Sequence, residues 1–141
     1  MDLPTIRAAV KTLAADATDG ASLTLLTARI VLGIDMHANA NTFLATLSSS
    51  GPYMIVQPGA LVDDPESLGG GRMYEVPCSL YVGYARETDQ TFTAAETLLE
   101  DIRAQLRDGG FSAVEWEQPE VNHKREPGYA MWRLRVRRRG C

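Results

Sequence analysis

Few side chains in these 141 residues stand where catalysis or metal binding would need them. His37 and His123 are the only histidines; one follows Asp35-Met36 and the other sits in a charged turn. Neither has a second histidine or a cysteine at ligand spacing, so both read as loop histidines. Asp63-Asp64 places two carboxylates side by side in a Pro/Gly-rich loop. Hard cations take such oxygens, but adjacent acids in turns are common, and the pair by itself predicts no metal. Glu115 and Glu117 alternate with Val114 and Trp116, which puts both carboxylates on one strand face. That spacing imitates a catalytic carboxylate pair. With an arginine-rich strand expected beside it, cross-strand ion pairing is the better reading. Cys78 lies in an apolar alternation and Cys141 is the last residue. They read as a buried small side chain and a free tail thiol rather than a disulfide. There is no Gly-x-Ser-x-Gly elbow, Cys–His arrangement or dinucleotide fingerprint. The run Gly69-Gly70-Gly71 lacks the spacing of a phosphate cradle. We expect no enzyme, no cofactor and no metal. The competing enzymatic reading would use Asp63, Asp64 or His123.

One constellation has functional weight. Arg133, Arg135 and Arg137 alternate with Leu134 and Val136, so they project from one sheet face, and Arg138 and Arg139 extend the row. Three roles are open to them. They pair with Glu75, Glu115 and Glu117 within the sheet, they bind an acidic patch on a neighbouring subunit, or they contact a nucleic-acid backbone. No aromatic platform or recognition helix accompanies them, which argues against sequence-specific nucleic-acid readout.

The arginine run sharpens a charge asymmetry. It holds five of the fourteen basic residues and no acid, leaving nine basic against eighteen acidic residues, a net of −9. An acidic body with a basic C-terminal strand favours oriented electrostatic contact. The apolar fraction of 45% fits one ordinary globular core. We expect a single domain over residues 1–141. No apolar run of about eighteen residues exists, so no membrane-spanning helix is expected. The start, Met1-Asp2-Leu3-Pro4, lacks the basic stretch and apolar run of a signal peptide, so folding in a cytoplasm is expected.

The elements that must position these groups follow from periodicity. Ile6, Val10, Leu13 and Ala17 predict a first helix, capped by Asp2 and stopped at Asp19-Gly20. A strand is expected near 27–33 and a short helix from Asn39, with Ser48 to Pro52 ending it. Tyr53 to Val56 reads as a strand, and 57–71 as a long Gly-rich loop, mobile or used for binding. Arg72 to Tyr84 alternates cleanly as a strand, with Pro77 marking an edge or bulge. Phe92, Ala95, Leu99, Ile102 and Leu106 form the stripe of a second long helix, closed by Gly109-Gly110. Val114 and Trp116 read as the buried face of one strand, 118–128 as a polar turn, and Trp132 to Val136 as the last strand. The fold class is α+β: a single antiparallel or mixed sheet packed against helices, with Val76, Leu80, Trp116, Leu134 and Val136 facing the second helix.

This layout resembles the tail terminator, or tail completion, proteins of the neck of tailed bacteriophages. The resemblance lies in the N-terminal helix, Tyr53-Met54-Ile55-Val56-Gln57-Pro58-Gly59, the Gly-rich loop, Tyr74 to Val82, the Thr91–Leu106 helix, and the strand pair ending in Trp132-Arg133-Leu134-Arg135-Val136. It spans roughly residues 1–139 as a pattern of element order, and residues 22–50 depart from it most. The resemblance implies a structural virion protein, assembled in the host cytoplasm and found in the tail or neck. Such a protein forms a homohexameric ring that caps the tail tube, stops its polymerisation and joins it to the head-side connector or stopper. Its partners would be further copies of itself, the tube protein and the connector, with double-stranded DNA passing through the lumen without sequence-specific binding, and no membrane. Asp63, Asp64 and Arg72 on the loop, and Arg133, Arg135, Arg137, Arg138 and Arg139 on the last strand, are then candidate subunit, tube or DNA-lumen contacts. The alternatives are another neck or tube protein of similar fold, and a nucleic-acid-binding accessory protein that uses the arginine strand.

Overall fold

The structure is a computed structural model that describes residues 2–21, 23–33, 52–64, 69–84, 93–115, 120–122 and 128–139. Helix α1 (Leu3–Ala14) begins where its sequence dictates. The Thr5 N–H donates to Asp2 Oδ1 at 2.9 Å, which satisfies an otherwise orphaned helix donor. That bond holds the Asp2 carboxyl below its ordinary range. Pro4 sits in the first turn, where no N–H is needed. Ile6, Val10 and Ala14 form the buried stripe. The helix stops earlier than expected. Asp16 takes a φ of 65° and turns the chain back before Asp19-Gly20 is reached. Asp19 instead organises a small loop, accepting from the backbone of Ala21 at 3.0 Å and Leu23 at 2.8 Å.

Strand β1 (Ile30–Leu32) follows a short 3-10 turn at Thr27–Arg29, as the 27–33 expectation required. It runs parallel to β2 (Tyr53–Val56), with Ile30 opposite Met54. The helix expected from Asn39 lies outside the described residues.

The segment 57–71 is not one long loop. Ala60–Asp63 forms strand β3, antiparallel to the first residues of β4 (Arg72–Tyr84). Val56 pairs with Cys78 and Ala60 with Glu75, so residues 57–59 oppose only Val76 and Pro77. This is a β-bulge, and Pro77 lies opposite it. Gly59 is required there. A Cβ would stand 2.9 Å from the Glu75 carbonyl oxygen and 3.0 Å from Val76 Cγ2. The turn formers at the two ends of the segment therefore mark a bulge and a hairpin tip. Between them, the extended Ala60-Leu61-Val62 pairs the backbone of β4. The tip closes with the Asp64 N–H donating to the Gly71 carbonyl at 2.9 Å.

Helix α2 (Thr93–Asp108) buries Ala95, Leu98, Leu99, Ile102 and Leu106. It ends as its glycines dictate: Gly110 has a φ of 90°, and the Phe111 N–H returns to the Leu106 carbonyl at 2.9 Å. Asp101 on α2 accepts from the Thr18 backbone at 2.8 Å and ties the loop after α1 to this helix. Strands β5 (Ser112–Glu115), β6 (Glu120–Asn122) and β7 (Gly128–Arg139) complete the chain. Strand β6 corrects the expectation of a polar turn over 118–128. The twelve-residue β7 extends far enough to pair residues 120–122 at its N-terminal half.

Among the described residues the result is a seven-stranded mixed sheet of order β1-β2-β4-β7-β5, with β3 on the β2 side of β4 and β6 on the β5 side of β7. Its spine is the antiparallel β4–β7 pair, from Met73–Arg139 to Tyr84–Gly128. Val76, Leu80, Leu134 and Val136 pack with the stripes of α1 and α2 in one core cluster. Each such buried side chain contributes about 1.5–3 kcal/mol of transfer free energy. The α+β class and the sheet-against-helices packing are as expected. Trp116 and Phe92 lie outside the described residues. Val114 does not belong to the core; it is 52% exposed. Phe111, buried immediately after the Gly110 turn, sets the parity of β5, so Ala113 packs inward and Val114 outward.

Candidate functional site

Strand β7 pairs along its whole C-terminal half with β4, and alternation divides its arginines between the two faces of the sheet. Arg133, Arg135, Arg137 and Arg139 share a register parity opposite to Leu134 and Val136. Arg138 shares the parity of Leu134 and Val136, so it does not extend the outer row as its sequence position suggests. Its guanidinium lies 5.3 Å from the Phe111 ring centroid, within reach of a cation–π contact.

Two acids gather the outer row. Arg137 Nε donates to Glu75 Oε2 at 3.0 Å, and Arg135 Nε stands 3.6 Å from Glu75 Oε1. Arg139 Nε stands 3.0 Å from Asp64 Oδ2, whose side chain is only 7% exposed. Pairing with acids of the same sheet therefore accounts for three arginines. Glu75 is a partner the sequence suggested. Glu115 pairs in register with Leu134, and Val114 takes the place opposite Arg135, so the one-residue offset removes Glu115 from the arginine parity. Glu117 lies outside the described residues.

Asp63 and Asp64 diverge, as successive strand residues must. Asp63 meets Arg72 at 3.4 Å in a contact open to water, with side chains 92% and 54% exposed. Asp64 turns to Arg139. The structure thus does not bring the two carboxylates together on a cation. Among the described residues, no group of three histidine, cysteine, aspartate or glutamate side chains stands ready to hold a metal ion. His37, His123 and Cys141 lie outside the described residues. Cys78 is buried and free of disulfide. Desolvation pushes its thiol far above the ordinary range, with Arg7 opposing the shift. A thiol held neutral in this way is a poor nucleophile.

Two features escaped the sequence reading. Arg7 on α1 reaches the open ends of the parallel pair, donating from Nη2 to the Val56 carbonyl at 2.9 Å and the Gly33 carbonyl at 3.5 Å. Nothing in helical periodicity flags such a reach. The other is a groove of about 640 Å³ where the end of α2, the start of β5 and the end of β7 converge. Arg107, Arg138 and Arg139 line it together with Phe111, Ser112 and Asp64. Arg107 stands in the last turn of α2. The glycine turn that follows folds β5 back, and pairing with β7 brings the distant arginines alongside. The chain separation of Arg107 from Arg138 hides this cluster from any local motif.

The arrangement concentrates charge, and no reacting pair converges in it. It suits binding of a carboxylate or phosphate group. Among the described residues, no helix is long and apolar enough to cross a membrane. Comparison with protein-family models and with curated proteins returns no match for this chain.

Proposed function

We propose that this chain is a structural subunit of a phage neck, resembling the tail terminators. In this reading its copies form a hexameric ring on the finished tail tube, stop tube growth and present a surface to the head-side connector. What supports it is the order of elements. Helix α1, strand β2, strand β4, helix α2 and the strand pair ending in β7 follow one another as the resemblance leads one to expect, with the bulged hairpin of β3 and β4 where a Gly-rich loop was expected. Ring building by head-to-tail contact needs two different surfaces on one subunit. The acidic body and the arginine-bearing end of the sheet would supply two such surfaces.

The test is native mass spectrometry at several concentrations, with and without cognate tail tubes. A hexamer, alone or only on tubes, is the expected result. A strict monomer that ignores tubes would sink the reading.

A nucleic-acid accessory role draws less support, because Arg135, Arg137 and Arg139 have carboxylates of their own sheet beside them. Replacing Arg138 and Arg139 by serine should leave DNA affinity unchanged. A salt-dependent loss would favour the accessory role instead.

A further inference from the structure

Four described strands, β1, β3, β5 and β6, pair with a single neighbour each. Strand β3 pairs only with β4, and β5 only with β7. Strands β3 and β5 each carry an exposed apolar side chain: Leu61 is 40% exposed and Val114 52%. Natural edges are usually protected by lysine, proline or a bulge. The stretches Ala60-Leu61-Val62 and Ser112-Ala113-Val114 contain neither lysine nor proline.

Their directions are complementary. Strand β3 is antiparallel to β4, β4 to β7, and β7 to β5. Strands β3 and β5 therefore run in opposite senses. Two copies set side by side in the same orientation bring β3 of one against β5 of the next as an antiparallel pair, and the alternation continues across the seam. The contact joins two different surfaces, so it is heterologous and can close a ring.

Face continuity and charge select the register. Antiparallel pairing that keeps the two faces of the sheet continuous sets Ala60 beside Val114 and Asp63 beside Phe111. Phe111 lines the arginine groove with Arg107 and Arg138. Asp63 is the exposed carboxylate of β3, held in its own copy only by the open contact to Arg72. Exposed pairs of that kind contribute little, so exchanging it for the groove costs little.

We propose that the β5 edge and the groove of Arg107 and Arg138 form a docking site for strand β3 of a second copy of this chain. The Asp63 carboxylate enters the groove. This deepens the ring-subunit reading and rests on it.

The experiment compares the wild type, Asp63→Lys, and the double variant Arg107→Glu/Arg138→Glu. All three substituted side chains are at the surface or the groove, and thermal melts check that each protein folds. Native mass spectrometry on tubes reads assembly. Each variant alone should lose association by at least about tenfold, since like charges then face each other. Mixing the two variants should restore it in alternating rings, because every seam regains opposite charges. Hydrogen exchange should slow over 60–63 and 111–114 on assembly.

Failures separate cleanly. A wild type that never assembles overturns the ring reading and this site with it. A wild type that assembles while both variants assemble equally well overturns the site alone. Loss caused by the arginine variant but not by Asp63→Lys would point to β5 meeting β5, and would also overturn it. Loss of salt-sensitive DNA binding with assembly intact would assign the groove to nucleic acid.

Discussion

Glu75 on β4 accepts the Nε–H of Arg137 at 3.0 Å from the residue directly across the ladder. Its second oxygen stands 3.6 Å from Arg135. One partly buried carboxylate thus compensates two arginines on the central strand pair. Replacing Glu75 by Gln removes the carboxylate shared by those two charges. We expect a loss of about 1 kcal/mol in urea unfolding. The difference should shrink in about 1 M NaCl, where screening weakens both the attraction and the repulsion. Unchanged stability at low salt would mean the pairs are incidental.

The parity of β5 is open to a direct comparison. Leu134 is fully buried in the core, whereas Val114 is half exposed on the other face. Leu134→Ala should cost about 2–5 kcal/mol through lost burial and the cavity left behind. Val114→Ser should stay within about 0.5 kcal/mol of wild type. Similar losses at both positions would show that Val114 belongs to the core after all.

The bulge before β3 has a steric basis. A methyl at Gly59 would press on the Glu75 carbonyl, a backbone atom that cannot turn away. Gly59→Ala should therefore cost about 1–3 kcal/mol. Hydrogen exchange over 60–63 should accelerate more than over 53–56, because the bulge is what carries β3 onto β4. Equal acceleration in the two segments would contradict that role.

Cys78 should remain unlabelled by thiol reagents in the native state and react only on unfolding, measured with Cys141 replaced by serine. Its folded thiol resists ionisation, while the unfolded thiol ionises from about pH 9.0. Between those two points the unfolded state binds fewer protons, so stability falls as pH rises above that value. Cys78→Ala should flatten this decline, read from urea midpoints across alkaline pH. A decline of equal slope in the variant would assign it to other groups.

Local patterning made much of the fold legible. The alternation of Tyr74 to Val82 fixed β4, the stripe of Ala95 to Leu106 fixed α2, and Asp2 and Gly110 marked helix ends through backbone requirements that act within a few residues. These signals are local because periodicity, capping and turn conformation depend on near neighbours. Glu75 could be nominated as an arginine partner for the same reason, since the alternation on each strand was visible.

What the sequence alone left undecided depends on which strand lies beside which, and in what register. Ala60-Leu61-Val62 is too short and too closely bounded by glycine and proline to declare itself a strand; the free ladder of β4 makes it one. Val114 looks buried by alternation, but Phe111 claims the core position first and shifts the parity by one residue. Asp63 and Asp64 look like a pair until strand geometry sends them to Arg72 and Arg139. Arg107 and Arg138 line one groove only because the glycine turn and the β5–β7 pairing bring distant parts of the chain together. Composition supplied the charges, and tertiary pairing decided which of them meet.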